Sequence, residues 1–398
     1  MRLSDYFGPS TLITAAFIGP GTLTICSIAG VESAYSLIWA LVFSTIATLI
    51  LQEMSARLGF QTGAGLPEAM HQSFKSSWVK NASFSLIFMA IIIGNAAYEA
   101  GNISGTSLGL NLLVGQQSYW PVLVAIIGIV LIGVGGYKWI EKFLIALVML
   151  MSICFLITAV LISPNVIEIL KGLIPSAVNK EEILLVLGLV GTTVVPYNLF
   201  LHASIISKKY DKGMSIEQLR RENRVAVLLG GLISILIVIV AAGARDQITS
   251  ISNAGDLALQ LEPLLGKHAK ILMGFGLFAA GLSSTITAAL AAAYVAKGIF
   301  RFSKAEESNG YKAVWFGIIL IGVLVSMGGM NTILLIKFAQ IANAFILPVV
   351  ALYLLKLCND ETVMHNLKNK ASQNLLAGIV IFITLLISLR SLFLVFQS

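Results

Sequence analysis

Runs of about twenty apolar residues, each closed by a short polar connection, recur from one end of this chain to the other. A helix needs ~20 apolar residues to cross the hydrocarbon core of a bilayer. Eleven windows are expected to do so: 10–31, 37–58, 84–113, 121–137, 141–163, 182–207, 223–244, 269–298, 313–329, 332–357 and 375–396. Barrel strands would instead alternate in polarity over ~10 residues, so the run length selects helices. No long polar stretch separates the windows, and residues 1–398 read as a single transmembrane domain. The expected fold class is an all-α polytopic membrane protein with eleven transmembrane helices.

Two of the windows are interrupted in their middles, at Gly19-Pro20-Gly21-Thr22 in the first and Val195-Pro196-Tyr197-Asn198 in the sixth. Pro20 and Pro196 have no N–H to donate and crowd the preceding turn, while Gly19 and Gly21 relax the backbone. Each break leaves free carbonyls at one half-helix end, which favour cations, and free N–H groups at the next, which favour anions. In hydrocarbon such a break survives only where protein or a water-filled cavity covers it. A matched pair of breaks in the two halves of a chain points to the substrate site of a secondary transporter. Residues 10–163 and 182–357 then form two five-helix repeats, with 375–396 appended. Five crossings being odd, the second repeat enters from the opposite side and is inverted, which sets the two breaks across a pseudo-two-fold axis near the midplane.

Composition supports the membrane assignment, with 57 % hydrophobic and only 11 % charged residues, against about a quarter charged in soluble domains. The net charge of +7 would point to nucleic acid if it formed a patch, but it does not. Lys and Arg gather at the N-terminus and in alternate loops (Arg2, Arg57, Lys138, Lys208, Arg220, Arg221, Lys297, Arg301 and Lys368 among them), leaving few in the others. By the positive-inside rule the N-terminus is cytoplasmic and, after eleven crossings, the C-terminus is outside; no nucleic-acid partner is expected. The N-terminus has no small-residue cleavage pattern, and its apolar stretch continues as the first span. Cys26, Cys154 and Cys358 are odd in number and dispersed, against a disulfide framework or zinc site. No phosphate-binding loop, nucleophile elbow or zinc-type histidine spacing is present, so neither an enzyme nor a cofactor is expected.

An ionisable residue inside a span is a functional candidate by default. Glu99 lies mid-span in Ala96-Ala97-Tyr98-Glu99-Ala100-Gly101-Asn102, and His202 lies six residues beyond Pro196. Both are able to titrate and are candidates for proton coupling; the alternatives are a structural carboxylate bonded to a neighbouring helix and a satisfied interior histidine. Lys337 and Gln340 near the start of the tenth span are candidates to reach a vestibule, Lys337 alternatively snorkelling to the interface, and Asn343 lies deeper.

The sixth span, Gly191-Thr-Thr-Val-Val-Pro-Tyr-Asn-Leu-Phe-Leu-His-Ala203, resembles that of the Nramp (natural resistance-associated macrophage protein) family of proton-coupled divalent-metal transporters, which typically reads Gly-Ala-Thr-Val-Met-Pro-His-Asn-Leu-Tyr-Leu-His. Leu51-Gln52 with Ala56-Arg57-Leu58-Gly59, Gly105-Thr106 with Leu110-Asn111-Leu112-Leu113, and Ser283-Ser284-Thr285-Ile286-Thr287 extend the resemblance over spans one to ten. It implies the LeuT-type fold of five plus five inverted helices. At the family's metal-ligand positions this chain departs from the pattern. The first-helix Asp and Asn are Gly19 and Thr22, and the sixth-helix Ala carbonyl and Met sulfur belong here to Thr192 and Val195. The His after the proline is Tyr197, His202 is kept, and the third-helix Asp and Glu correspond to Glu99 and Asn102.

The expected function is therefore secondary active transport by alternating access in the cytoplasmic membrane, coupled to protons, with a small cation as substrate. The resemblance implies a divalent metal, yet a site lacking the carboxylate and the soft sulfur should not favour manganese or iron. The substrate-binding set is Gly19, Thr22, Glu99, Asn102, Thr192, Thr193, Val195, Tyr197 and Asn198. The alternatives are a small organic or weakly charged solute, hydrogen-bonded by the hydroxyl, amide and phenol groups of that set, and a non-transporting membrane sensor or scaffold.

Overall fold

The computed structural model describes residues 18–134, 138–207, 215–302 and 308–396, and every long element in it is a helix. In chain order these are α1 (Pro20–Ser33), α2 (Ile38–Thr62), α3 (Leu66–Ser73), α4 (Ser77–Val114), α5 (Trp120–Val134) and α6 (Lys138–Leu161). A short α7 (Val166–Gly172) leads to α8 (Lys180–Thr193), α9 (Pro196–Ser207) and α10 (Ile216–Gly243). The short α11 (Ala254–Leu259) and α12 (Glu262–Leu265) precede α13 (Ala269–Phe300), α14 (Asn309–Ser326) and α15 (Thr332–Asn359). The chain closes with α16 (Glu361–Met364) and α17 (Ala371–Phe396).

The expectation of eleven transmembrane helices is corrected. Among the described residues nine helices are long and apolar enough to cross a membrane, with α8 and α9 together making one passage. Of window 121–137 the described helix is the fifteen-residue α5, and residues 135–137 lie outside the described residues; those fifteen residues span ~22 Å at 1.5 Å per residue against a core ~30 Å thick. Of window 10–31 the described helix is the fourteen-residue α1, and residues 10–17 lie outside the described residues. A hydropathy window counts apolar residues whether or not one helix carries them, and Pro20 starts a helix rather than continuing one.

At the centre runs α4, packed against α13, α15 and α14. Small residues bring its backbone close to its neighbours. A Cβ on Gly109 would lie 2.6 Å from both the Gly274 carbonyl oxygen and the Phe278 nitrogen of α13. A Cβ on Gly105 would collide with the ring of Pro20, so α1 enters where α4 has no side chain. On its other side α1 packs on α10 and α8, and α2 packs on α9, α10 and α8.

Arg57, counted above among loop charges, is placed inside α2 and is 1 % exposed. It pairs with Glu53 at 3.0 Å, donates to Asn369 Oδ1 at 2.6 Å and reaches the Leu367 carbonyl. A buried cation is tolerated only when paired and hydrogen-bonded, and this one ties the end of α2 to the segment before α17. Gly63, at φ 59°, closes α2 in the left-handed conformation that glycine adopts without strain. The turn feeds α3, whose His71 Nε2 lies 3.2 Å from the Gly298 and Ile299 carbonyls at the end of α13.

Candidate functional site at the paired helix breaks

Both breaks form where the prolines stand. Gly19 caps α1 in an extended conformation (φ −90°, ψ 175°) with Pro20 in the first turn, where its missing N–H costs nothing. α8 ends at Thr193, Val194 turns out of the helix (φ −101°, ψ 77°), and α9 restarts at Pro196. The two breaks meet, with Thr22 Oγ1 2.9 Å from Thr192 Oγ1 and both side chains buried. Thr193 is engaged with its own helix, its Oγ1 donating to the Leu189 carbonyl at 2.8 Å, while its carbonyl accepts from Thr48 at 3.3 Å.

The remaining predicted residues divide. Val195 is buried in an apolar cluster with Tyr98, Tyr197 and Leu201, and the Tyr98 and Tyr197 rings meet edge to face at 5.2 Å. Glu99 is fully buried, and neither carboxylate oxygen has a hydrogen-bond partner. A Cβ on Gly322 of α14 would lie 2.7 Å from Glu99 Cγ and 3.0 Å from Ile103 Cδ1, so Glu99 and Ile103 share the α4 face that packs on α14. Tyr98 points the other way, its hydroxyl 3.5 Å from where a Gly19 Cβ would stand. The side-chain nitrogen of Asn102, both polar atoms of Asn198 and both ring nitrogens of His202 are buried without partners.

Three residues outside the predicted set contribute to the junction. Ser284 Oγ of α13 would be 3.1 Å from a Gly19 Cβ. The Gln340 side chain of α15 lies over Gly21, its backbone carbonyl lies against Gly191, and its Oε1 has no partner. Tyr98 completes the set. In sequence, Ser284 stood within a motif resembling the family's and Gln340 as a polar residue able to reach a vestibule, but which face each takes is a tertiary fact. An unsatisfied buried polar atom costs ~1–3 kcal/mol, and several such atoms, on Asn102, Asn198, His202, Ser284 and Gln340, lie on the helices around the breaks.

Electrostatically the junction is neutral. Gly19 and Val195 bring no charge and no soft donor, Thr22 and Thr192 bring hydroxyls, and Glu99 faces α14. No group of three or more His, Cys, Asp or Glu side chains with metal-holding geometry occurs among the described residues. The three cysteines are buried and free.

A helical membrane protein with two discontinuous helices meeting at a buried polar junction has the architecture of a secondary transporter. The family model "Natural resistance-associated macrophage protein-like" matches residues 10–394, and the chain belongs to that family of transporters. It is 27 % identical to the divalent metal cation transporter MntH of Bradyrhizobium diazoefficiens, over 98 % of this chain and 89 % of that one. Identity is also 27 % to the natural resistance-associated macrophage protein 2 homolog of Dictyostelium discoideum, over 98 % of this chain and 64 % of the other. The manganese transporter of Eremococcus coleocola shares the fold, with a TM-score of 0.78 at 20 % identity, covering 97 % of this chain and 85 % of that one. Mhp1, a nucleobase-cation-symport-1 family transporter, superposes in its closed conformation with a TM-score of 0.59 at 14 % identity, covering 97 % and 95 %. The all-α, LeuT-like transporter fold expected from the sequence is therefore present, with the corrected helix count.

Proposed function

We propose that this transporter carries a small solute of low charge, a monovalent cation or a weakly charged polar molecule, through the junction of the two breaks, and that protons drive it. The observation that carries the proposal is the 2.9 Å contact between the Thr22 and Thr192 hydroxyls. Two neutral hydroxyls meet at the family's metal-ligand positions, and Gly19 supplies no carboxylate beside them. Burying even a unit charge without compensation costs tens of kcal/mol, the cost of dehydrating an ion grows with the square of its charge, and neutral oxygens return less of it than carboxylates do. A lower charge lowers that cost steeply. Glu99 and His202, buried without partners, support proton coupling: each is a titratable group within the bundle, one on α4 and one on α9.

A second possibility rests on the relatives, several of which are named as divalent metal cation transporters. Proteoliposome uptake distinguishes the two. Under an inward proton gradient, accumulation of a monovalent cation or polar organic solute, with no accumulation of manganese, magnesium or calcium, is the expected result. Micromolar manganese uptake that Thr22→Val and Thr192→Val abolish would overturn the proposal. The triple change Gly19→Asp, Thr22→Asn, Val195→Met supplies the absent carboxylate, amide and thioether, and should raise manganese affinity in isothermal titration. A well-folded triple variant without any gain would refute the site geometry.

We further propose an inner-membrane location with the basic loops facing the cytoplasm, supported by the clustering of Arg220, Arg221 and Arg224 at the start of α10 and Lys368 and Lys370 before α17. A cysteine at Ser215 should label only from the cytoplasmic side and one at Asn253 only from outside. Labelling of both from the same face would reject the orientation.

A further inference from the structure

Away from the paired breaks, α2, α10 and α17 enclose a groove of about 380 Å³ at their charged ends. Leu49, Ile50 and Leu376 form its apolar wall, and Asn223, Arg224 and Gln373 its polar end. Asn223 is 1 % exposed, yet neither its amide nitrogen nor its oxygen has a hydrogen-bond partner. A buried amide left unpaired at a groove wall awaits a ligand that both accepts and donates, or a solvated anion.

The charges beside it do not cancel. Glu53 is the carboxylate lining the groove, and it is held by Arg57 at 3.0 Å and Arg220 at 2.9 Å. Arg224 is exposed, donates only to the Arg220 carbonyl at 3.3 Å, and forms no ion pair among the described residues. Two guanidinium groups, Arg220 and Arg224, line the groove against the single carboxylate of Glu53, which Arg57 also holds from behind, and leave the polar end positive. The apolar wall opens outward onto exposed hydrophobic surface: Ile46 is 49 % and Leu376 48 % exposed, and Leu228 and Leu229 follow one turn beyond Arg224. Polar end and apolar wall are stacked along the direction in which headgroup and acyl chains are stacked in a leaflet. Basic pockets between transmembrane helices on the cytoplasmic side are the pattern that holds anionic headgroups.

We infer that this groove is a binding site for a phospholipid with an anionic headgroup. Its phosphate is met by Arg224 and the Asn223 amide, and one acyl chain lies along Leu49, Ile50 and Leu376. The occupied groove would bridge α2, α10 and α17. The inference does not depend on the transported solute, because no groove residue lies at the helix breaks.

Native mass spectrometry of delipidated full-length protein, titrated with a phosphatidylglycerol and a phosphatidylcholine of identical acyl chains, tests it. Phosphatidylglycerol should bind in preference, and Arg224→Gln with Asn223→Ala should reduce its affinity by roughly five- to tenfold while leaving phosphatidylcholine adducts unchanged. Leu376→Trp, at an exposed position on the groove wall, should displace the acyl chain and lower phosphatidylglycerol retention without touching the polar end. Should the double variant fail to fold, the Leu376→Trp result decides. Equal binding of the two lipids, unaltered binding in the variants, or thermal stabilisation by inorganic phosphate as large as by phosphatidylglycerol would each overturn the inference; the last would show an ion site in place of a lipid site.

Discussion

Gly191→Ala should uncouple the two helix breaks, because a single methyl would push α8 off α15. Gly191 faces the backbone of α15, and its added Cβ would stand 2.9 Å from Gln340 C and 3.0 Å from Ala344 N, with the Gln340 carbonyl oxygen nearer still. Real Cβ atoms essentially never come within 3.0 Å of such neighbours. The obstacle is main chain, so no rotamer change relieves it, and the helices must part by about 1 Å. Overpacking of that kind costs ~1–3 kcal/mol. Thr192 is the next residue, and the same shift would carry its hydroxyl from 2.9 Å past hydrogen-bonding range, losing a further ~1 kcal/mol. Together these amount to ~2–4 kcal/mol, a fall of about 2–5 °C in apparent melting temperature for a protein of this size. Gly188→Ala, one turn earlier, is the internal control: its Cβ would meet only the Ile25 side chain, at 3.2 Å and beyond, and that side chain has room to rotate. Scanning fluorimetry in detergent on the two variants gives the comparison. If Gly191→Ala melts with the wild type, or if Gly188→Ala is equally damaged, the backbone contact does not position the site as described.

Glu99→Gln should fold, since the amide nearly matches the carboxyl in shape, and should lose pH-gradient-driven uptake while retaining gradient-free exchange of labelled substrate; full gradient-driven accumulation would move the coupling role to His202 or to another ion. Arg57→Gln should cost ~3 kcal/mol or more, because it strips Asn369 and the Leu367 carbonyl of their donor and leaves Glu53 to Arg220 alone; Arg57→Lys, keeping the charge without the planar fork, should recover only part of that loss, and a shift under 1 °C in Arg57→Gln would reject the clamp. Burial, opposed by backbone bonds to Ile299 and Gly298 and aided by Arg301, holds His71 below its ordinary value of 6.5. The unfolded chain therefore takes up the proton first, so its contribution is complete above pH 6.5 and is lost as pH falls toward the folded value. His71→Gln should flatten the decline of melting temperature with acidity. Glu68, raised by burial despite Lys297, acts with the opposite sign and should be compared in a Glu68→Gln background. An unchanged pH profile in His71→Gln would remove the docking role of α3.

How much of this was legible in the sequence depends on the range over which each feature is decided. The breaks were legible because proline and glycine act on their own backbone: α1 begins at Pro20 and α9 at Pro196, where the residues demand it. Polytopic helical architecture followed from run length alone. The helix count did not, since a hydropathy window counts apolar residues whether or not a single helix of sufficient length carries them. Arg57 looked like a loop charge because charge was counted by position in the sequence, whereas its partners at Leu367 and Asn369 lie some three hundred residues away. At the site, Thr22 and Thr192 were predicted together and meet. Tyr98 and Glu99 are adjacent in sequence and lie on different faces of α4, a division set by the packing of α4 between α14 and α1, which no local pattern encodes.

The glycines of α4 bear on how a transporter of this kind changes cargo. At Gly109 the central helix meets α13 backbone to backbone, and at Gly105 it admits the ring of Pro20, so the frame that holds the breaks in place depends little on the side chains at positions 19, 22, 192 and 195. Residues 19, 22, 192 and 195 hang from that frame as replaceable fittings. A chain so built is free to exchange a carboxylate for a hydrogen atom, or a thioether for an isopropyl group, and keep the same moving parts. Chemical selectivity and mechanical action are then inherited separately, and a new substrate requires a handful of substitutions where a new machine would require hundreds.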